Sequence, residues 1–185
     1  MTARSVILII HAMSSGKIHV YTGNGKGKTT AGLGLVIRAS GHGMSMKFIQ
    51  FMKGSTKYGE LNSLAKLCIE VVQYGTLDFV DIKNPKQIDI SEARKALADV
   101  KLSASSGKYD IVVADEINVA MGFGLITIRD VLDMIESKND KTELIMTGRM
   151  APPEVINKAD LVTEMREIKH YYREEELDGR MGIEY

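Results

Sequence analysis

The stretch of this chain best suited to chemistry is Thr22-Gly23-Asn24-Gly25-Lys26-Gly27-Lys28-Thr29-Thr30. Three glycines in five positions weaken a helix or a strand, so they serve a loop. Such a loop turns its backbone N–H groups inward onto an anion. Lys28 adds a point charge for phosphate, and the Thr29 hydroxyl suits a Mg²⁺ that the phosphates also bind. An apolar run, Ile18 to Tyr21, precedes the loop and a helical pattern follows it, so a positive helix N-terminus adds to the cradle. The general pattern G-x-x-x-x-G-K-[ST] is broken at its first position, where Thr22 stands and Gly23 arrives one residue late. The strand–loop–helix context and the adjacent Gly27-Lys28-Thr29 favour a phosphate loop over a chance Gly-rich turn, and a nucleoside triphosphate as its ligand.

A second chemical signal is Ile111-Val112-Val113-Ala114-Asp115-Glu116. Four apolar residues bury a strand, and two carboxylates emerge at its C-terminal end, where open α/β sheets bind ligands. One carboxylate can hold Mg²⁺ beside Thr29; alone, the pair would read as two solvated acids. Arg149 follows another apolar run, Glu143 to Thr147, where a phosphate or ribose is within reach; a surface arginine is the plainer alternative. Arg38 lies late in the helix after the loop, where a favourable contact with the helix dipole competes as an explanation. His11, His19, His42 and His170 are scattered without metal-site partners, and Arg173-Glu174-Glu175-Glu176 reads as a solvated charge run.

The elements that must position these residues fit one domain. A chain of 185 residues, 44% hydrophobic and 26% charged, suffices for a single soluble α/β unit. Lysines plus arginines and aspartates plus glutamates both number 24, which argues against a broad nucleic-acid footprint. The single cysteine, Cys68, has no partner for an internal disulfide, so the expected compartment is the cytoplasm, with no membrane partner. Residues 1–15 stand apart: Val6 to Ile10 is apolar but too short for a membrane span. An extra edge strand, an arm packed on a partner, and a true start at Met13 all stay open for it.

From Gly16 onward, strands and helices alternate. Strands are expected at Ile18–Tyr21, Met44–Phe51, Ile69–Val72, Tyr109–Glu116, Glu143–Thr147 and Leu161–Thr163. Between them come helices over Thr29–Ser40, with Leu33, Val36 and Ile37 on one face, and over Glu60–Lys66. A third opens on a capping box at Asp89-Ile90-Ser91-Glu92, a fourth is capped by Thr127, and a fifth begins at Pro152-Pro153. Tyr74 to Pro85 is a long irregular connection of the kind that often carries function. Alternation of this kind implies a mostly parallel central sheet with helices on both faces.

The combination resembles the P-loop corrinoid adenosyltransferases, over roughly Gly16 to the C-terminus. The loop with Leu33-Gly34-Leu35-Val36-Ile37-Arg38-Ala39 carries it, then Gln50-Phe51-Met52-Lys53-Gly54 and Val113-Ala114-Asp115-Glu116. Thr147-Gly148-Arg149 follows, with Ala159 to Met165, Ile168-Lys169-His170 and the closing Met181-Gly182-Ile183-Glu184-Tyr185. The shortened loop, a defect against the general pattern, is similar to what that family has. The resemblance implies a three-layer P-loop NTPase-like, RecA-like α/β fold in one domain over residues 16–185. It also implies transfer of the 5′-deoxyadenosyl group of ATP to cobalt(I) of a corrinoid, with triphosphate leaving intact.

Carried over residue by residue, the resemblance has Gly23, Asn24, Gly25, Lys26, Gly27, Lys28, Thr29 and Thr30 hold the triphosphate, Arg38 and Arg149 the nucleotide, and Thr29 and Glu116 a Mg²⁺ or Mn²⁺ ion. Family members can use aromatic side chains to drive off the lower axial ligand of the corrinoid. This chain has no Trp, and Phe79, then Leu77, is the candidate wedge; an ordinary loop anchor is the other reading of both. Lys28 and Phe79 are thus the catalytic candidates. The family further implies a reductase of flavoprotein type as electron donor and a homodimer. Tyr171 to Arg180 looks longer and more acidic than the family's corresponding region. Rival readings are a P-loop ATPase or small-molecule kinase, and a nucleotide-switched binding module.

Overall fold

Why the loop ends up beside two distant carboxyl and guanidinium groups follows from strand order. The computed structural model describes residues 15–177 and 179–185; the expectations for the N-terminal arm at residues 1–15 fall almost wholly outside them. Six strands form one sheet: β1 (Ile18–Thr22), β2 (Met46–Phe51), β3 (Glu70–Tyr74), β4 (Ile111–Asp115), β5 (Glu143–Thr147) and β6 (Leu161–Glu164). Their order across the sheet is β3-β2-β4-β5-β1-β6, and every pairing is parallel. Parallel strands all point the same way, so the segments leaving β1, β2, β4 and β5 emerge at one edge of the sheet.

Helices cover both faces: α1 (Lys28–Ser40) and α2 (Gly59–Lys66) on one, and α3 (Gln87–Ser105), α4 (Ile117–Gly122), α5 (Ile128–Glu136) and α6 (Pro153–Lys158) on the other; α7 (Tyr171–Glu175) adds no buried residue to either. Side chains alternate across a strand, and β4 shows the result. Val112 and Ala114 join Ala96 and Val100 of α3 and Met134 of α5 in one buried cluster. Ile111 and Val113 join Val36 of α1, Leu64 of α2 and Phe48 in another. Burial on both faces makes β2 and β4 mainly apolar, with Lys47, Gln50 and Asp115 as their buried polar residues. The chain is therefore a three-layer α/β structure, as its alternating pattern implies.

Several boundaries move. Asp89 is not the cap of α3 but its third residue: the helix starts at Gln87, and the Asp89 carboxylate reaches back to accept the Lys86 N–H at 2.9 Å. Ile37, expected on the buried face of α1, is half exposed, because that face runs Gly32, Val36 and Ala39. Glu116 leaves β4 and takes a left-handed backbone (φ 65°) before α4, a short helix with no periodic signal of its own. Thr127 caps α5 as expected, its hydroxyl accepting the Asp130 N–H at 3.1 Å. Replacing Thr127 by Ala is expected to cost about 1 kcal/mol, read as a lower urea midpoint at unchanged slope.

Candidate functional site

The loop that leaves β1 is braced from outside. Gly23 has φ 92°, and a Cβ there would lie 2.5 Å from the Met165 carbonyl oxygen. Gly25 is similarly confined, its N–H donating to that oxygen at 2.6 Å. The chain leaving β6 thus presses on the outer side of the loop. The neighbouring strand braces the other flank: Gly148 N–H donates to the Tyr21 carbonyl, and Ala151 N–H to the Thr22 hydroxyl. These two bonds set Arg149 beside the loop.

The loop borders a cleft of about 730 Å³. Asn24 through Thr30 line it, together with Glu116 from the end of β4 and Arg149 from the end of β5. Phosphate-loop, acid and arginine, read from the sequence at three separated places, thus meet on one surface. Lys28 is buried, and its ammonium donates to the Gly25 carbonyl at 2.6 Å. Burial pulls the Lys28 ammonium down from its ordinary value, and the Arg149 charge adds to that; the Glu116 and Asp115 carboxylates oppose it. Arg38 sits exposed in the last turn of α1, outside the lining of this cleft.

The two acids at the end of β4 divide their tasks. Asp115 is wholly buried and points away from solvent into a polar cage. Lys53 donates to it at 2.8 Å, and the Thr147 hydroxyl donates at 2.7 Å. Thr147 in turn accepts the Glu116 N–H at 3.0 Å, which holds the turn carrying Glu116. Glu116 alone of the pair lines the cleft. Burial pushes the Glu116 carboxyl above the ordinary glutamate range, and the Asp115 charge adds to it; Lys53, Lys28 and Arg149 pull the other way. Burial also acts to lower Lys53, but the charge and hydrogen bond of Asp115 outweigh it and hold the ammonium up.

The sequence gives Lys53 no role beyond its place in the Gln50-Phe51-Met52-Lys53-Gly54 stretch. In the structure it follows β2, whose Gln50 is level with Asp115, and so comes out over the acid pair. The signal was present but faint: a lysine placed directly after a buried strand. Gly75 packs on the backbone of Met52 and Lys53. This contact ties the connection that carries Leu77 and Phe79 to the segment that supplies Lys53. Leu77 is 82% exposed and Phe79 fully exposed, and neither lines the cleft. Lys26, expected on phosphate, has its ammonium engaged by Glu184 and by the Tyr171 hydroxyl.

The family model described as ATP:corrinoid adenosyltransferase BtuR/CobO/CobP matches residues 14–185. The chain belongs to that family. Three relatives each bear the name corrinoid adenosyltransferase. The Sinorhizobium protein is 36% identical over 186 residues, covering 99% of this chain and 86% of that protein. The Pseudomonas aeruginosa protein is 33% identical, covering 92% and 84%. The Escherichia coli protein is 31% identical, covering 92% and 86%. No helix among the described residues is long and apolar enough to cross a membrane.

Proposed function

We infer that the chain transfers the 5′-deoxyadenosyl group of ATP to the cobalt(I) of a corrinoid. The observation that carries this is the convergence of Lys28, Thr29, Glu116 and Arg149 on one cleft in a chain matched to the adenosyltransferase family over residues 14–185. Cobalt(I) donates an electron pair to the 5′ carbon, a cobalt–carbon bond forms, and the carbon–oxygen bond breaks with its pair leaving on triphosphate. No proton moves, so no general base is required. What the reaction needs is fixed positive charge where the leaving group gathers negative charge. Lys28 and the loop N–H groups other than that of Gly25, which donates to the Met165 carbonyl, supply it, and Arg149 extends the charge along the cleft. Holding the 5′ carbon in line with cobalt supplies much of the remaining rate.

Thr29 and Glu116 suit a Mg²⁺ or Mn²⁺ ion: both offer hard oxygen donors on the same cleft, leaving other positions for phosphate oxygens and water. Such an ion, when bound, adds charge stabilisation to the departing phosphates. Arg38, in our reading, serves the nucleotide only if a partner or a shift in α1 brings it nearer. A flavoprotein-type reductase supplies the electron for cobalt, and a homodimer is the working form. The exposed Leu161 and Val162 on the β6 edge support the latter, with a dimer mass in sedimentation at micromolar protein as the expected result.

The deciding experiment mixes protein, MgATP and chemically reduced cob(I)alamin without oxygen. Loss of the cobalt(I) spectrum, a light-sensitive alkyl-cobalt product and intact triphosphate are expected. ADP with an untouched corrinoid would overturn the reading in favour of a kinase or ATPase. The exposed Phe79 gives a second test, because an aromatic ring left in water is available to cover a flat ligand. Phe79→Ala is expected to slow the reaction from cobalt(II) about tenfold, some 1.4 kcal/mol, and the reaction from pre-reduced cobalt(I) by less than about twofold. Equal losses on both would remove Phe79 from the wedge role.

A further inference from the structure

The last residues, Arg180–Tyr185, close into a turn instead of trailing away. Glu184 N–H donates to the Arg180 carbonyl at 2.9 Å, and the Glu184 carboxylate accepts the Arg180 N–H at 2.7 Å. The same carboxylate reaches across to the phosphate loop, where it accepts from the Lys26 ammonium and the Tyr171 hydroxyl. Lys26 also donates to Tyr171 at 2.9 Å, and the Arg180 guanidinium lies 4.6 Å over the Tyr171 ring. These contacts hold the Glu184 carboxyl well below the usual carboxylate range. At its far end the turn meets the start of α2, with the Tyr185 carbonyl against Gly59. It therefore spans the cleft from the loop to α2.

The lining of the cleft divides by chemistry. Lys28, Thr29, Glu116 and Arg149 suit phosphate and its metal ion. Beside them Leu33, Tyr58, Ser63, His170, Ile183 and Tyr185 give apolar, aromatic and hydrogen-bonding surface that suits a nucleoside, with the Lys53–Glu60 ion pair next to it. Ile183 is 57% exposed there, with apolar surface that a base or sugar would cover. We propose that the C-terminal turn is the nucleoside wall of the ATP site, clasped to the phosphate loop by Glu184. Glu184 is then a positioning residue, joining the part of the site that grips triphosphate to the part that recognises what is attached to it. This rests on the reading that the cleft holds ATP.

Comparing two probes, MgATP and inorganic tripolyphosphate with Mg²⁺, tests the clasp by calorimetry. Glu184→Ala is expected to raise the Kd and KM for ATP about tenfold, with kcat at saturating ATP within about twofold of the parent. Tripolyphosphate lacks the nucleoside, so its Kd should stay level or fall, because Lys26 loses a competing carboxylate. Glu184→Gln keeps the shape and half the hydrogen bonding and should fall between. Parallel weakening of both probes would overturn the proposal, since the turn would then be bracing the loop as a whole. Unchanged ATP binding would overturn it as well. Should Glu184→Ala fail to fold, Ile183→Ala poses the same contrast without touching the clasp. Failure of the parent protein to bind either probe would instead strike at the ATP reading itself.

Discussion

Replacing Lys28 by Ala lowers kcat/KM for ATP by about 100-fold or more, while the melting curve keeps its single transition. The activity loss follows from what leaves: one fixed cation in a partly dehydrated cleft, aimed at the charge that grows on triphosphate, and such groups are worth about 10²–10³ each. Stability suffers little. The Lys28 ammonium makes one hydrogen bond, to the Gly25 carbonyl, and a bond of that kind contributes about 1 kcal/mol net. Removal also relieves the burial of a charge, which the attraction of Glu116 offsets only in part. The two measurements together separate a binding role from a structural one. Activity within a few fold of the parent would sink the phosphate-loop assignment, and an unfolded variant would show that the buried ammonium is holding the loop.

How much of this was legible in the sequence depends on whether the signal is local. The loop residues Gly23 to Thr30 announce themselves because phosphate cradling needs glycines, a lysine and a hydroxyl within one short stretch. Glu116 was legible for a similar reason, since a carboxylate pair ends a run of four buried residues. Even there the sequence left open which acid faces the ligand. That choice is made by Thr147 and Lys53, which draw Asp115 inward from β5 and β2 and leave Glu116 to the cleft. Sheet order decides it, and the order β3-β2-β4-β5-β1-β6 is not written in any one stretch. Glu184 was hidden more deeply. Its partner Lys26 is 158 residues away, and a turn of Met, Gly and Ile before it carries no periodic signal. The capping box of α3 was misplaced because Asp89 and Glu92 have the residue types of a box; the Lys86 N–H took the Asp89 carboxylate instead.

The adjacent acids Asp115 and Glu116 should respond to neutralisation in opposite directions. Asp115→Ala removes a wholly buried carboxylate and strands Lys53, whose other acid, Glu60, is 3.8 Å away. Breaking such a buried pair on one side costs about 3–5 kcal/mol, so a large drop in the urea midpoint is expected. Glu116→Gln should do the reverse in metal-free protein. The folded state holds the Glu116 carboxyl above its ordinary value of 4.5, with burial the largest cause and Asp115 next, so folding favours its protonated form. Its contribution to stability is therefore full below about pH 4.5 and declines as pH rises through 4.5 toward the raised value. Glutamine cannot ionise and escapes that decline. In EDTA the melting temperature of Glu116→Gln should exceed the parent's at pH 7, with the gap closing as pH falls toward 4.5. Activity should move against stability, falling on the order of 100-fold, because a metal-ion donor is worth several kcal/mol to the departing triphosphate. A Gln variant that is less stable at neutral pH would show that the cations Lys53, Lys28 and Arg149 outweigh burial. Full activity in it would take Glu116 out of the metal site.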